Sequence, residues 1–407
     1  MIPAGVSAQQ LDQEYPSLRE EFVFPHPNGI YFAGHSLGLM PKGARQAINA
    51  ELDSWGTFAV EGHFKGPHPW LPYHERVTES LAKLVGARPS EVVAMNSLTV
   101  NLHLMMVSFY KVRGLKRKVL IEQNAFPSDQ YAVDSQVRFH GGDPRQDVLE
   151  LPDSVAARGD DSILEFMDQH RDTLALVMLG NCNYLTGQKF DFEKITRFCR
   201  AQDIRVGFNL AHGAGNLALR LHDWRVDFAV WCSYKYLNSG PGGIAGCFVH
   251  EDHHREVLPR FEGWWGQDKS SRFLMERQFH PILSVEAWQL SNPPIFQLAA
   301  LRASLDLFDR VGMSKLRASG DRLTDFFSRE IETRLSGKVN LVTPAQRGSM
   351  LCLRFCKSPR ELVKKLHQLN VHVDFREPDI VRATPAPLYN SFQDVRRFVD
   401  LLEEELS

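Results

Sequence analysis

The sequence predicts an α/β fold, with a mainly parallel sheet in a large domain and a smaller C-terminal α+β domain. Three observations predict it. Short, nearly continuous apolar runs alternate with helical patterns through the middle of the chain, as they do where a parallel sheet is covered on both faces. The pattern changes after about residue 290. The chain has 407 residues, more than one small core organises.

The elements follow in order. Residues 1–50 read as an N-terminal segment that packs with the small domain, 51–290 as the large domain and 291–407 as the small one. Residues 41–57 place Ala44, Ile48, Leu52 and Trp55 on one helical stripe, with Pro41 suited to the first turn. Residues 73–86 repeat the pattern with Val77, Leu81, Leu84 and Val85, and Gly86 ends it. Six apolar strands follow at 91–95, 118–122, 174–179, 204–208, 226–232 and 244–249, with helical patterns such as 192–202 between several of them. Residues 291–312 form a long amphipathic helix behind a proline break. The tail reads strand, strand, helix, strand, helix, and Ser391 with Asp394 suits the last N-cap.

Composition excludes some classes. The net charge is −2, so nucleic acid and anionic membrane are poor partners. No secretory signal and no bilayer-length apolar run is visible. Cys182, Cys199, Cys232, Cys247, Cys352 and Cys356 are scattered without zinc-like spacing. Reduced thiols in a cytoplasmic protein are expected. The histidine-rich "EDHHRE" (251–256) reads as a solvated turn, not a metal site, because adjacent histidines in a strand point to opposite faces. No metal is expected.

In open α/β sheets ligands sit at the carboxyl ends of the strands, so the residues just after each strand matter most. After "EVVAM", Leu98 and Thr99 open an apolar helix and offer an anion site. After "KVLIE" comes "NAFPSDQY", with Phe126, Pro127, Ser128 and Asp129 in a proline turn. After "IRVGF" come Asn209 and His212. After "VDFAVWC" come Tyr234, Lys235 and the glycines 240, 242 and 243. No GxGxxG or GxxxxGK[ST] fingerprint competes. A phosphate site, a ring-sized plate and a lysine together point to an aldehyde cofactor held as a Schiff base, and pyridoxal phosphate is the candidate.

"YFAGHSLGL", "MNSLTVNLHLMM", "AFPSDQYA", "LAHGAGN", "LHDWRVDFAVWCSYKYLNSGPGG", "SNPPI" and "TPAPLYNS" resemble, in that order, the kynureninase family. The resemblance runs from about Tyr31 to near the C-terminus. It implies the pyridoxal-phosphate-dependent transferase-like fold (fold type I), a homodimer with shared active sites, and hydrolysis of L-kynurenine or its 3-hydroxy form to an anthranilate and L-alanine. It further implies a set of roles. Lys235 carries the cofactor and serves as general base. Leu98, Thr99 and Tyr234 hold the phosphate. Phe126 stacks on the ring, the 126–129 turn lines the site, and His212 sits beside the cofactor. Trp264 and Asn292 reach the phosphate region across the dimer interface. Arg382 pairs with the substrate carboxylate, and His63 and Ser36 lie near its aromatic end, where Asn292 also bears on substrate choice. Tyr234 is the candidate proton donor.

One departure matters most. Asn209 stands where the family carries an aspartate against the pyridine nitrogen. An amide lacks the charge that holds that nitrogen protonated, which implies a weaker electron sink. Gln267, Trp288–Gln289, His35 and Gly180 also differ from the commoner residues. An engineered change, an offset by a neighbour, and drift to another substrate or to reduced activity remain open. A protein that binds the cofactor but barely catalyses is the reading from a different class.

Overall fold

A computed structural model describes residues 6–180 and 182–407. The N-terminal five residues of the 1–50 segment therefore lie outside the described residues. Seven strands form the central sheet, in the order Val92–Ala94, Gly246–Val249, Phe228–Trp231, Arg205–Asn209, Leu174–Gly180, Lys118–Glu122, Val148–Leu151. The last five pair in parallel. Gly246–Val249 runs antiparallel to both of its neighbours. The expected mainly parallel sheet is present. Its central strands are buried along nearly their whole length, because apolar side chains leave water on both faces of the sheet.

Each face carries its own core. One gathers Leu120, Val177, Phe208 and Trp231 with Leu81, Leu301 and Phe308. The other gathers Val119, Leu176, Phe228 and Val230 with Met105, Phe109 and Trp288. The helix Ile295–Val311 places Leu298, Leu301 and Leu305 in the first of these, so it rides on the large sheet. A third core lies among the helices Met313–Arg334 and Phe392–Glu405 and the antiparallel strands Val339–Leu341, Leu351–Phe355, Ile380–Ala383 and Asp374–Arg376. The N-terminal segment joins it through Leu11, Ile30 and Phe32.

Most expected elements appear within a few residues of their expected ends. Pro41 caps the helix Lys42–Phe58 from outside the first turn. Residues 73–77 form a 3₁₀ turn, and the α-helix Thr78–Val85 stops at Gly86 in the left-handed region, φ 64°. Several elements go beyond the sequence reading, among them the helices Ala8–Glu14, Asp160–His170 and Met313–Arg334 and the strands Val148–Leu151 and Ile380–Ala383. The strand Val148–Leu151 lies at the sheet edge and buries only one residue fully, so its apolar signal is weak. The turn at 251–256 corrects the sequence reading. His253 and His254 are buried, and His253 Nε2 meets Asp227 Oδ1 at 2.8 Å. A carboxylate partner makes that burial affordable. All six cysteines are free, and only Cys356 is exposed. No described helix is long and apolar enough to cross a membrane.

The last helix has a reciprocal cap. Asp394 N donates to Ser391 Oγ at 3.0 Å and Ser391 N donates to Asp394 Oδ2 at 3.2 Å. We expect Ser391→Ala to cost about 1 kcal/mol, read as a lowered midpoint in chemical denaturation; an unchanged midpoint would count against the cap's role.

Candidate active site

The carboxyl ends of the sheet strands open into one cavity of about 200 Å³. Its lining includes Leu98, Thr99, Phe126, Ser128, Asp129, Asn209, His212, Tyr234 and Lys235. Nine of the expected residues thus converge from four separate segments. Leu98 and Thr99 begin the helix Leu98–Phe109, and no side chain caps its N-terminus. Its first N–H groups are free for an anion. Phe126 is half-exposed toward this space, edge-on to Tyr184 at 5.5 Å between ring centres. Pro127 opens the helix Pro127–Phe139 and stiffens the turn, without lining the cavity.

Lys235 follows the buried strand Phe228–Trp231. Its Nζ lies 3.3 Å from His212 Nε2. Burial pulls the lysine below its ordinary pKa; Cys232 and Asp129 oppose this, and Arg382 and Arg376 add to it. Burial and the neighbouring Lys235 hold His212 well below the usual histidine range, so it is neutral. His35 stacks on it at 6.5 Å and is likewise depressed by burial and Arg382. Tyr234 is pushed up to about 12, first by burial and then by Cys232, so it keeps its proton. Gly38 explains how the N-terminal segment crosses here. Its N–H donates to Tyr234 O at 2.8 Å, and a Cβ would stand 2.3 Å from Lys235 O.

Asn209 ends the strand Arg205–Asn209. Ala211 N donates to its Oδ1 at 2.9 Å, which fixes the amide's orientation. Its Nδ2 then donates to Asp129 Oδ2 at 2.7 Å. Asp129 also accepts from Ser128 Oγ at 3.2 Å. Burial raises the Asp129 carboxyl, and these donors and Lys235 only partly offset it. A full cation beside Asp129 would complete the balance.

Arg382 and Ser36 stand behind this cavity. Arg382 is buried; its Nε donates to Asp374 Oδ1 at 3.1 Å and its Nη1 to Tyr184 O at 3.0 Å. Ser36 Oγ donates to Asp374 Oδ2 at 2.9 Å. His63, Trp264 and Asn292 do not line the cavity within one chain. His63 packs edge-on against Trp70 at 5.6 Å, Trp264 Nε1 donates to Arg272 O at 3.0 Å, and Asn292 is exposed. The sequence reading missed Glu122, Gly180, Cys182, Tyr184, Ala211 and Cys232 in the lining. Glu122 had a signal: it is the charged last residue of an apolar strand.

A lysine off a buried strand, facing an aromatic plate and a free helix start on this sheet order, defines the fold of pyridoxal-phosphate-dependent enzymes of fold type I. The chain is similar in structure to the cystine C–S lyase C-DES, with a TM-score of 0.78, 19% identity and coverage of 93% of this chain and 98% of the other. It is also similar to the cysteine desulfurase CsdA from Escherichia coli, with a TM-score of 0.76, 14% identity and coverage of 98% of each chain. These likenesses concern the fold. In sequence it is 56% identical to the kynureninase of Myxococcus xanthus, over 97% of this chain and 96% of that protein. It is 51% identical to that of Koribacter versatilis, over 92% and 91%. The family model for the kynureninase C-terminal domain matches residues 316–402. The chain belongs to the kynureninase family.

Two buried neutral histidines set an acid limit. An unfolded histidine takes up a proton near pH 6.5, while His35 and His212 resist doing so in the fold. The unfolded state binds more protons, so stability falls as pH drops through about 6.5, by at most about 1.4 kcal/mol per pH unit for each histidine. His35→Asn should flatten that slope in denaturation curves from pH 7 to 5; an identical slope would contradict the assignment.

Proposed function

We propose that this protein hydrolyses L-kynurenine, or its 3-hydroxy form, to the anthranilate and L-alanine, using pyridoxal phosphate carried by Lys235. The observation that carries the reading is the desolvated Lys235 in a cavity built from the expected residues, in a chain of this family. The residues fit the cofactor. The free helix start at Leu98 and Thr99 suits the phosphate, Phe126 suits the ring face, and the buried Asp129 suits a protonated ring nitrogen.

When bound, the cofactor supplies a sink for the electrons released at the substrate's α-carbon. The chain's own groups do the rest. Arg382 holds the α-carboxylate, because a planar fork matches a carboxylate. Asp374 and the Tyr184 carbonyl fix the angle of that fork. Lys235, with its pKa lowered by burial, removes the α-proton as general base. Water adds to the substrate's γ-carbonyl, the Cβ–Cγ bond breaks to release the anthranilate, and Tyr234, which keeps its proton, protonates the carbon left behind. Ser36 borders the aromatic end of the substrate, and His63, which does not line the cavity within one chain, would reach it from a second copy.

Asn209 does not empty the ring-nitrogen end of charge. It presents its amide to Asp129 at 2.7 Å, and Asp129 supplies the carboxylate. This supports an offset by a neighbour over reduced activity or another substrate.

The homodimer is part of this proposal. An apolar groove of about 740 Å³ runs between the N-terminal segment and the helices Lys42–Phe58 and Ile295–Val311, and Trp55, Phe64, Trp264 and Phe273 are exposed. A second copy would cover such surface and bring Trp264 and Asn292 to the partner's cavity. Free cysteines suit a cytoplasmic location.

Lys235→Ala should remove the visible absorbance of the purified enzyme and its release of anthranilate from kynurenine; retention of either would refute the assignment. Asp129→Asn should keep the fold but lower turnover at least about tenfold, equivalent to about 1.4 kcal/mol of transition-state stabilisation; unchanged turnover would show that Asp129 does not carry the charge.

A further inference from the structure

Glu122 is the last residue of the strand Lys118–Glu122 and lines the same cavity as Lys235. Nothing in the roles assigned above uses it. It is buried. Its Oε2 accepts from Gly180 N at 3.0 Å, and its Oε1 has no partner. An unpaired buried carboxylate oxygen is costly, so a reason is needed for its place.

Gly180 shows how the carboxyl reaches in. A Cβ on residue 180 would stand 3.1 Å from Glu122 Oε2 and 3.3 Å from Oε1. Any larger residue there would press on the carboxyl. Gly180 is also the register partner of Asn209 on the next strand, and Asn209 holds Asp129. Glu122 therefore comes up through the gap left by Gly180, beside the residue that ends at Asp129. Both carboxyls are buried and line the same cavity, near enough for the Asp129 charge to act on Glu122.

We propose that Glu122 is a second carboxyl at the ring-nitrogen end of the site, kept in its acid form so that Asp129 is the one full negative charge there. The proposal rests on the cofactor reading above. Glu122 acts through Asp129 and is a positioning residue. As an acid it leaves the Asp129 charge undiluted and the Asn209 amide in place. When it ionises, its proton passes to solvent. A second negative charge then holds the ring-nitrogen proton more tightly. Burial first, then the neighbouring Asp129 and Asp153, push this carboxyl up to about 8, against the opposing Gly180 N–H. The cavity's other titratable side chains are Cys182, Tyr184, His212, Cys232, Tyr234 and Lys235.

The test is an absorbance titration of the holoenzyme from pH 6 to 10, for the parent and for Glu122→Gln, a neutral isostere of the acid. The parent should show a spectral transition centred near pH 8, and Glu122→Gln should lose it while retaining the bound chromophore. Superimposed curves would overturn the proposal and leave the cofactor reading standing. A parent protein without a chromophore would overturn that reading and this proposal with it. Denaturation of the apoprotein gives a second measure. A carboxyl raised from 4.5 to about 8 by folding binds more protons in the native state, so the contribution of Glu122 to parent stability should shrink as pH rises across that window, opposite in sign to the slope set by His35 and His212. Glu122→Gln lacks that contribution, so the stability difference between parent and variant should change in the parent's disfavour as pH rises; a pH-independent difference would also overturn the proposal.

Discussion

The site depends on one constraint: Lys235 must be kept out of water and still be reachable. A solvated ammonium would stay protonated and could neither bond a carbonyl carbon nor take a proton at neutral pH. The fold meets this by placing the lysine just beyond a fully buried strand in the interior of a seven-stranded sheet. Two apolar cores dry the sheet from both sides. The N-terminal segment then crosses over, with Gly38 against the Lys235 carbonyl. The buried apolar strands, the two-sided helical cover and the crossing segment together desolvate this amine.

Drying the site makes every other charge in it expensive, and the remaining side chains answer that cost. His212 touches Lys235 and stays neutral, so it adds no second cation. Asp129 draws donors from Asn209 and Ser128, yet burial still raises it. That residual imbalance favours a bound cation over solvent. In this setting an amide at 209 is not simply a lost aspartate. Two carboxylates at 2.7 Å would repel strongly in a buried site. An amide fixed by Ala211 N orients the one carboxylate that remains.

The sequence carries the large sheet well, because buried parallel strands are short apolar runs and each is bounded by turn residues. It carries the edge strand Val148–Leu151 and the strand Ile380–Ala383 poorly. The former is half-solvated, and the latter is too short to stand out before a proline-rich loop. The Lys235 cavity is legible because its residues cluster directly after strands, where ligands sit. The pairing of Asn209 with Asp129 is not, since 80 residues separate them and only the sheet register brings their strand ends together. His63, Trp264 and Asn292 show the opposite case. Their motif resemblance is local, but nothing within one chain brings them to the cavity.

Arg382 shows why the small domain belongs to the site at all. It is buried on the strand Ile380–Ala383, and a buried guanidinium needs its donors filled. Asp374 takes the Nε side, and the Tyr184 carbonyl of the large-sheet loop takes Nη1. Ser36 of the N-terminal segment reaches Asp374 from a third part of the chain. Arg376 also pairs with Asp374, so two cations share one carboxylate. The Asp374 carboxyl is held below its ordinary range by Arg382, against the opposing effect of burial, so it keeps its charge. Replacing such a centre by apolar residues would stabilise a fold as well or better. The two-to-one arrangement leaves positive charge at a point fixed by three separate segments of the chain, which suits the carboxylate-binding role proposed above for Arg382.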